Sequence, residues 1–185
     1  MKHPRFVHLF FAVLFYGFLG AAGAIWIHFA CPRPLSELLR VEDRLLTYGL
    51  GIGCGLAVAG ISALIVRWYK PALVLEQEFG YLLGNQGVGE IFLLAAMSGL
   101  AEEILFRGAL QQWVGPYLAA IVFAMAHPPF NRRLAMWPLF ALAVGLLLAF
   151  EMEVTKGIVA PVLTHVVINL VNLLRISSKY RLLEG

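Results

Sequence analysis

The chain has 185 residues, of which 61% are hydrophobic and 14% charged, with a formal net charge of +3. A soluble domain has roughly 45–50% apolar and about 25% charged residues, so this composition excludes an ordinary soluble domain and predicts an integral membrane protein. Because one span needs about 20 apolar residues to cross about 30 Å of hydrocarbon, the length allows about six spans. We predict an all-α, polytopic helix bundle that forms a single membrane domain, residues 1–185.

Apolar segments follow one another along the chain, separated by loops rich in Pro, Gly, Asn and charge. The predicted membrane helices cover residues 6–30, 45–66, 88–110, 116–126, 134–150 and 157–174. The first segment resembles a secretory signal, but its 25 residues are too many for a signal and predict an uncleaved span. Residues 67–87 mix charges with apolar side chains, which is typical either of an amphipathic helix along the membrane surface or of a plain connector.

The positions of lysine and arginine predict the orientation, because positive charge is retained on the cytoplasmic side. If the N-terminus is cytoplasmic, nine basic residues lie inside and four outside, and the C-terminus is also inside. The net charge therefore reflects topology, and we predict no nucleic-acid partner. We expect a multi-pass protein that is located in the inner membrane of a bacterial or archaeal cell. The sequence carries no signal for an oligomeric state.

The second segment is rich in small residues, which let membrane helices approach closely. Its glycines, which we interpret as packing positions, are Gly49, Gly51, Gly53, Gly55 and Gly60. Cys31 and Cys54 have neither a disulfide nor a metal spacing.

Residues 101–110 read AEEILFRGAL and place three ionisable side chains in an apolar span. Each would cost at least about 2.5–3.5 kcal/mol at mid-membrane if it stood alone. Glu103 and Arg107 lie one helical turn apart, so we expect them to form an ion pair. Glu102 is then left on another face of the helix, free to contact a different partner.

Two later segments supply further polar groups. His127 ends the stretch FAMAH just before a double proline, where it either joins a site or caps the helix carbonyls. His165, Asn169 and Asn172 stand at i, i+4 and i+7, which places them in one stripe that must face the bundle interior. We expect Asn172 in particular to form a hydrogen bond to a neighbouring helix. Counting the rise along each helix places Glu102, His127 and His165 at similar depths in the outer half of the membrane.

This set of groups fits a hydrolase, because a glutamate beside a histidine can take a proton from water. The remaining histidine and asparagine can donate hydrogen bonds to the oxyanion that develops. Metal chemistry is an alternative, with Glu102, His127 and His165 as three ligands. A non-enzymatic scaffold, immunity factor or transporter is another, in which the buried charges only join helices. The serines, Ser98 among them, lack a neighbouring base and a nucleophile-elbow context.

The patterns EEILFR, FAMAH and HVVIN occur in this order on separate predicted spans, as EExxxR, FxxxH and HxxxN. In this set the chain resembles the CPBP family, the membrane-embedded CAAX proteases and bacteriocin-processing enzymes also called Abi proteins. The resemblance covers residues 88–174, which we take as the catalytic core, and it implies a glutamate-type intramembrane endopeptidase.

The resemblance also implies roles for single residues. Glu102 corresponds to the base that activates water together with His127, and His165 and Asn169 correspond to the residues that stabilise the oxyanion. Glu103 and Arg107 correspond to supporting positions in the same motif. We predict no cofactor and no metal.

The expected partners are the lipid bilayer and a membrane-anchored protein or peptide as substrate. The chain has fewer predicted spans than the family members that process prenylated proteins. Together with a site in the outer half of the membrane, this favours the C-terminal sorting anchor of an exported protein over a cytoplasmic CAAX tail as substrate.

Overall fold

A computed structural model describes residues 5–83, 86–129 and 131–181. Within these ranges the chain is helical and contains no strand, so the predicted all-α membrane fold is confirmed. The α-helices are α1 Arg5–Ala30, α2 Leu35–Leu38, α3 Arg44–Trp68, α4 Lys70–Leu83, α5 Val88–Glu103, α6 Gln111–Met125, α7 Trp137–Thr155 and α8 Val159–Arg181. A π-helical segment, Ile104–Leu110, joins α5 to α6, and a short 3-10 helix, Arg132–Leu134, precedes α7.

Every apolar segment predicted as a span is largely helical. Four helices of the described residues are long and apolar enough to cross a membrane: Leu9–Ala30, Arg44–Trp68, Arg132–Thr155 and Val159–Tyr180. The predicted third and fourth spans instead form one helical run that is interrupted by the π-helical segment and by Gly115, whose φ of 77° is left-handed. The count of about six spans and the cytoplasmic termini stay predictions.

The segment between the second and third predicted spans is a helix, α4, rather than a plain connector. It packs on the second half of α8, where a Cβ atom at Gly80 would lie 2.7 Å from the ring of Tyr180. The buried carboxylate of Glu76 contacts Arg175 at 2.6 Å and Lys179 at 2.8 Å. These contacts hold α4 against the same end of the bundle at which α3 and α8 finish.

Helix α8 lies against α3 along a surface of small residues. Cβ atoms built at Gly51 and Gly55 would stand 2.7 Å from Leu163 Cβ and 2.6 Å from Val167 Cβ. No side chain fits there unless the helices separate, so the packing interpretation holds for these two positions. It does not hold for Gly49, Gly53 and Gly60, which have nothing within 4 Å of such a Cβ in the described structure.

The opposite end of the bundle is closed by α2 and the turn between α7 and α8. Leu38 lies in a buried apolar cluster with Ile27 and Ile158, and its carbonyl accepts a hydrogen bond of 2.9 Å from the backbone N–H of Ile158. Arg33 bonds to Glu37 and to the carbonyl of Lys156. This end is therefore filled by side chains and hydrogen bonds.

Candidate active site

A carboxylate and two imidazoles from three parts of the chain meet inside the bundle. Glu102 lies at the end of α5, His127 follows the end of α6, and His165 lies in the first half of α8. The Oε2 atom of Glu102 is 3.7 Å from His127 Nε2 and 4.0 Å from His165 Nε2. Three residues that are distant in sequence are thus brought together around one carboxylate oxygen.

The other ring nitrogen of His127, Nδ1, forms a hydrogen bond within its own segment of the chain. His127 Nδ1 lies 2.7 Å from the carbonyl oxygen of Phe123, which can only accept, so Nδ1 carries the proton of this hydrogen bond. The ring also packs at 4.6 Å from Phe123 and 5.2 Å from Trp137, centroid to centroid. His127 thus caps a helix carbonyl with Nδ1 and has its Nε2 atom beside Glu102.

The second nitrogen of His165 is bound by the other glutamate. His165 Nδ1 and Arg107 Nη1 both contact Glu103 Oε1, at 2.8 and 3.0 Å. Arg107 is completely buried, donates at 2.9 Å to the carbonyl of Gly145, and stacks over the ring of Phe123. The predicted ion pair between Glu103 and Arg107 is present, while the bond from Glu103 to His165 has no counterpart in the sequence analysis.

The polar stripe on α8 faces two different helices. Asn169 donates from Nδ2 to Ser98 Oγ on α5 at 2.9 Å. Asn172 instead bonds at 2.8 Å to Ser62 Oγ on α3. Asn172 therefore joins helices, as expected, and Asn169 stays beside the histidine cluster.

These groups line a cavity of about 310 Å³, which is at the small end of the usual range for ligand sites. Glu102, His127, His165 and Asn169 all contribute to its wall. The remaining wall comes largely from residues that the sequence analysis assigned to no site: Leu9, Tyr16, Phe79, Trp137 and Leu173. A single sequence has no signal for them, because an aromatic or leucine in a membrane helix is indistinguishable from a lipid-facing one.

The cavity extends from the Glu102 carboxylate toward the end of the bundle that holds α4. Its lining includes the first half of α1, Phe79 of α4 and the first residue of α7. The charge distribution predicts that this end is cytoplasmic. The side of the membrane to which the cavity opens, like the predicted site in the outer half, stays a prediction, because the lining residues give a direction along the bundle and not a side of the membrane.

A metal site requires several ligand side chains that converge on one point. In the part of the chain that the structure describes, no group of three or more His, Cys, Asp or Glu side chains is arranged to hold a metal ion. The rings of His127 and His165 are oriented through their Nδ1 atoms, by the Phe123 carbonyl and by Glu103.

Comparison with known proteins agrees with the motifs. Residues 84–171 match the family model described as Type II CAAX prenyl endopeptidase Rce1-like. The chain is 28% identical over 155 residues to the uncharacterized protein YpbD of Bacillus subtilis (strain 168), covering 82% of this chain and 79% of that protein. No solved structure gives a significant match.

The matched segment contains all three motifs and the four polar residues Glu102, His127, His165 and Asn169 of the cavity wall. The family supports an intramembrane protease kind of function, and the apolar helices fit a multi-pass membrane protein. Residues 84–171 therefore match an Rce1-like domain, and this domain is one of the CPBP family.

Proposed function

We propose that this protein is a glutamate-type intramembrane endopeptidase that hydrolyses a peptide bond of a membrane-associated protein or peptide. The observation that carries the proposal is the state of Glu102. Its Oε2 atom is buried, has no hydrogen bond within the described structure, and faces the free nitrogens of two histidines. Glu103 differs, because its Oε1 atom is bonded both to His165 of α8 and to Arg107.

The spacing around Glu102 suits a water molecule. A separation of 3.7 Å between Glu102 Oε2 and His127 Nε2 is too long for a direct hydrogen bond, and both atoms are acceptors when the ring is neutral. A water molecule between them would donate one hydrogen to each. Glu102 takes the proton, and the water oxygen attacks the carbonyl carbon of the substrate to give a tetrahedral intermediate.

The oxyanion of the tetrahedral intermediate is then stabilised by hydrogen-bond donors. Asn169 has a second Nδ2 hydrogen beyond the one it gives to Ser98. His165 donates from Nε2 when both ring nitrogens are protonated, with the Glu103 carboxylate as the counter-ion on Nδ1. The C–N bond breaks as the proton held by Glu102 passes to the leaving nitrogen, which releases two peptides and restores the carboxylate.

A serine mechanism has less support. Ser98 is the serine that lines the cavity, and its hydroxyl lies within 3.3 Å of the Ala95 carbonyl, to which it donates. A hydroxyl that gives its proton to a carbonyl has no base to activate it.

The direction of the cavity bears on the substrate. Because the cavity extends toward the end that we predict to be cytoplasmic, we propose a substrate that enters from that side with a short extended segment. A sorting anchor of an exported protein stays a prediction, and it would require the opposite orientation in the membrane.

The proposal is tested by comparing membrane peptides in a strain that lacks the gene, complemented with wild type, Glu102→Gln or Glu153→Gln. Glu153 is an exposed glutamate on α7 that does not line the described cavity. It accepts a hydrogen bond from Gln111, which the carbonyl oxygen of a glutamine can also accept, so Glu153→Gln serves as the isosteric control. We expect one cleaved peptide pair with wild type and Glu153→Gln, and its uncleaved precursor with Glu102→Gln. Identical peptides with Glu102→Gln and wild type would contradict the mechanism.

A further inference from the structure

We infer that Ser98 is a positioning residue for the reaction, which orients the side-chain amide of Asn169 so that a donor rather than an acceptor faces the oxyanion. The inference rests on the proposed function of this site. Ser98 lies outside the three motifs, one helical turn before Glu102, and its side chain is 6% exposed on the cavity wall.

The hydrogen bonds around Ser98 have one consistent arrangement. A hydroxyl has one proton, and in helices serine commonly donates it to a backbone carbonyl one turn earlier, here that of Ala95 at 3.3 Å. The Ser98 oxygen is then an acceptor toward Asn169, so the atom 2.9 Å away must be Nδ2 and not Oδ1. The chain of bonds from the Ala95 carbonyl through Ser98 fixes which way the amide of Asn169 points.

The backbone spacing at this point is also fixed. Gly99, the residue after Ser98, lies directly against α8, where a Cβ would stand 2.6 Å from Val166 Cγ2 and 3.0 Å from the Val166 backbone nitrogen. This close approach of α5 and α8 keeps a short serine within reach of Asn169.

Loss of the Ser98 hydroxyl would release the amide. An asparagine amide can turn over by about 180° with little change in shape, which exchanges its NH₂ group for its oxygen. Oδ1 would then face the developing oxyanion, and its partial negative charge would repel that oxygen. The transition state is therefore destabilised, while binding of the uncharged substrate is not. We therefore expect loss of the Ser98 hydroxyl to lower kcat and to leave KM unchanged.

The chain contains a matched control for this hydrogen bond. Ser62 on α3 bonds to Asn172 of α8 at 2.8 Å and to the carbonyl of Ala59 at 2.8 Å. Both are serine–asparagine hydrogen bonds between α8 and a neighbouring helix, but the Ser62 hydroxyl donates to Asn172 Oδ1, whereas Ser98 accepts from Asn169 Nδ2. Ser62 and Asn172 do not contribute to the described wall of the catalytic cavity. Removing the Ser62 hydroxyl thus costs the same kind of interhelical bond without touching the site.

The experiment measures steady-state cleavage by purified protein in lipid vesicles, with the substrate identified from the membrane peptides. The variants are Ser98→Ala, Ser98→Thr, Ser62→Ala, Asn169→Ala and the double variant Ser98→Ala with Asn169→Ala. We expect Ser98→Ala to lower kcat about tenfold with unchanged KM, Ser98→Thr to recover most of the loss, and Ser62→Ala to cleave like wild type. In the double variant, Ser98→Ala should have no further effect on kcat beyond that of Asn169→Ala.

Wild-type kcat in Ser98→Ala, or an unchanged tenfold loss on the Asn169→Ala background, would overturn the inference. Glu102→Gln in the same assay separates it from the proposed function. An inactive Glu102→Gln beside a fully active Ser98→Ala rejects the role of Ser98 alone, whereas an active Glu102→Gln rejects the mechanism on which that role depends.

Discussion

Glu103 serves two partners with one carboxylate. Its Oε1 atom binds Arg107 on the same helix and His165 on α8, and its side chain is completely buried. The spacing of four residues predicts the first contact, because residues i and i+4 share a helix face. It cannot predict the second, which joins residues 62 apart in sequence and depends on how α5 packs on α8.

Replacing Glu103 by alanine should destabilise the fold as well as the site. It leaves Arg107 buried without a counter-ion, which typically costs about 3–5 kcal/mol. We expect low accumulation of Glu103→Ala in the membrane and a lower unfolding temperature in detergent. The double variant Glu103→Ala with Arg107→Met should recover much of the stability but not the activity, because His165 still lacks its partner. Normal stability of the single variant would refute the shared ion pair.

The absence of a three-ligand group in the described residues leads to a prediction about metal. We expect purified enzyme to keep its activity after dialysis against a strong chelator, and metal analysis to find less than one equivalent of zinc per chain. Activity that is lost on chelation and restored by added zinc would instead support Glu102 and the two histidines as ligands.

At the scale of the elements, small residues on the faces turned toward α8 set the distances between helices. Sequence identifies a glycine-rich segment but not which glycines touch a neighbour, since all of them are compatible with a helix of small residues. In α3 the contacts fall on Gly51 and Gly55, one turn apart, and miss Gly53 between them.

This difference between neighbours provides a test within one helix. Gly55→Ala should push α3 away from Val167 and destabilise the protein by about 1–3 kcal/mol, as overpacking does. Gly53→Ala meets nothing within 4 Å and should unfold at the wild-type temperature or slightly above it. Thermal unfolding of the two variants in the same detergent makes the comparison. Equal unfolding temperatures would show that α3 does not contact α8 at this point.

The helical run from α5 to α6 contains a π-helical segment that the sequence does not predict. Hydropathy predicts one helix that runs through AEEILFRGAL, residues 88–110, and a second over 116–126, and both stretches are helical. The π-helical segment follows Glu103. Its residues Gly108 and Arg107 contact Ile27 and the carbonyl of Gly145, which are distant in sequence and leave no local pattern. Such segments occur often at functional sites, and here one begins directly after the two glutamates.

At the scale of the whole molecule, one end of the bundle is filled and the other contains the cavity. Composition and charge predict the membrane class and an orientation, and the motifs predict which side chains gather. They do not predict the direction of access, which depends on the position of α4 and on the packing of α2 against the turn before α8.

Access can be measured with single cysteines in a Cys31→Ser, Cys54→Ser background. Ala12 lines the cavity on α1, and Leu39 is exposed at the opposite end, next to α2. We expect a membrane-impermeant thiol reagent to label Ala12→Cys only in inverted vesicles and Leu39→Cys only in intact cells. The reverse pattern would place the cavity on the outer side and restore the sorting-anchor prediction.

The central claim is that Glu102 activates the water that cleaves the substrate. Its most direct test is the single-turnover cleavage rate of purified protein in lipid vesicles, for wild type, Glu102→Gln and the exposed control Glu153→Gln. The account predicts that Glu102→Gln binds substrate and unfolds at the wild-type temperature but cleaves at least about 1,000-fold more slowly, while Glu153→Gln cleaves normally. A Glu102→Gln rate within a few-fold of wild type would contradict it.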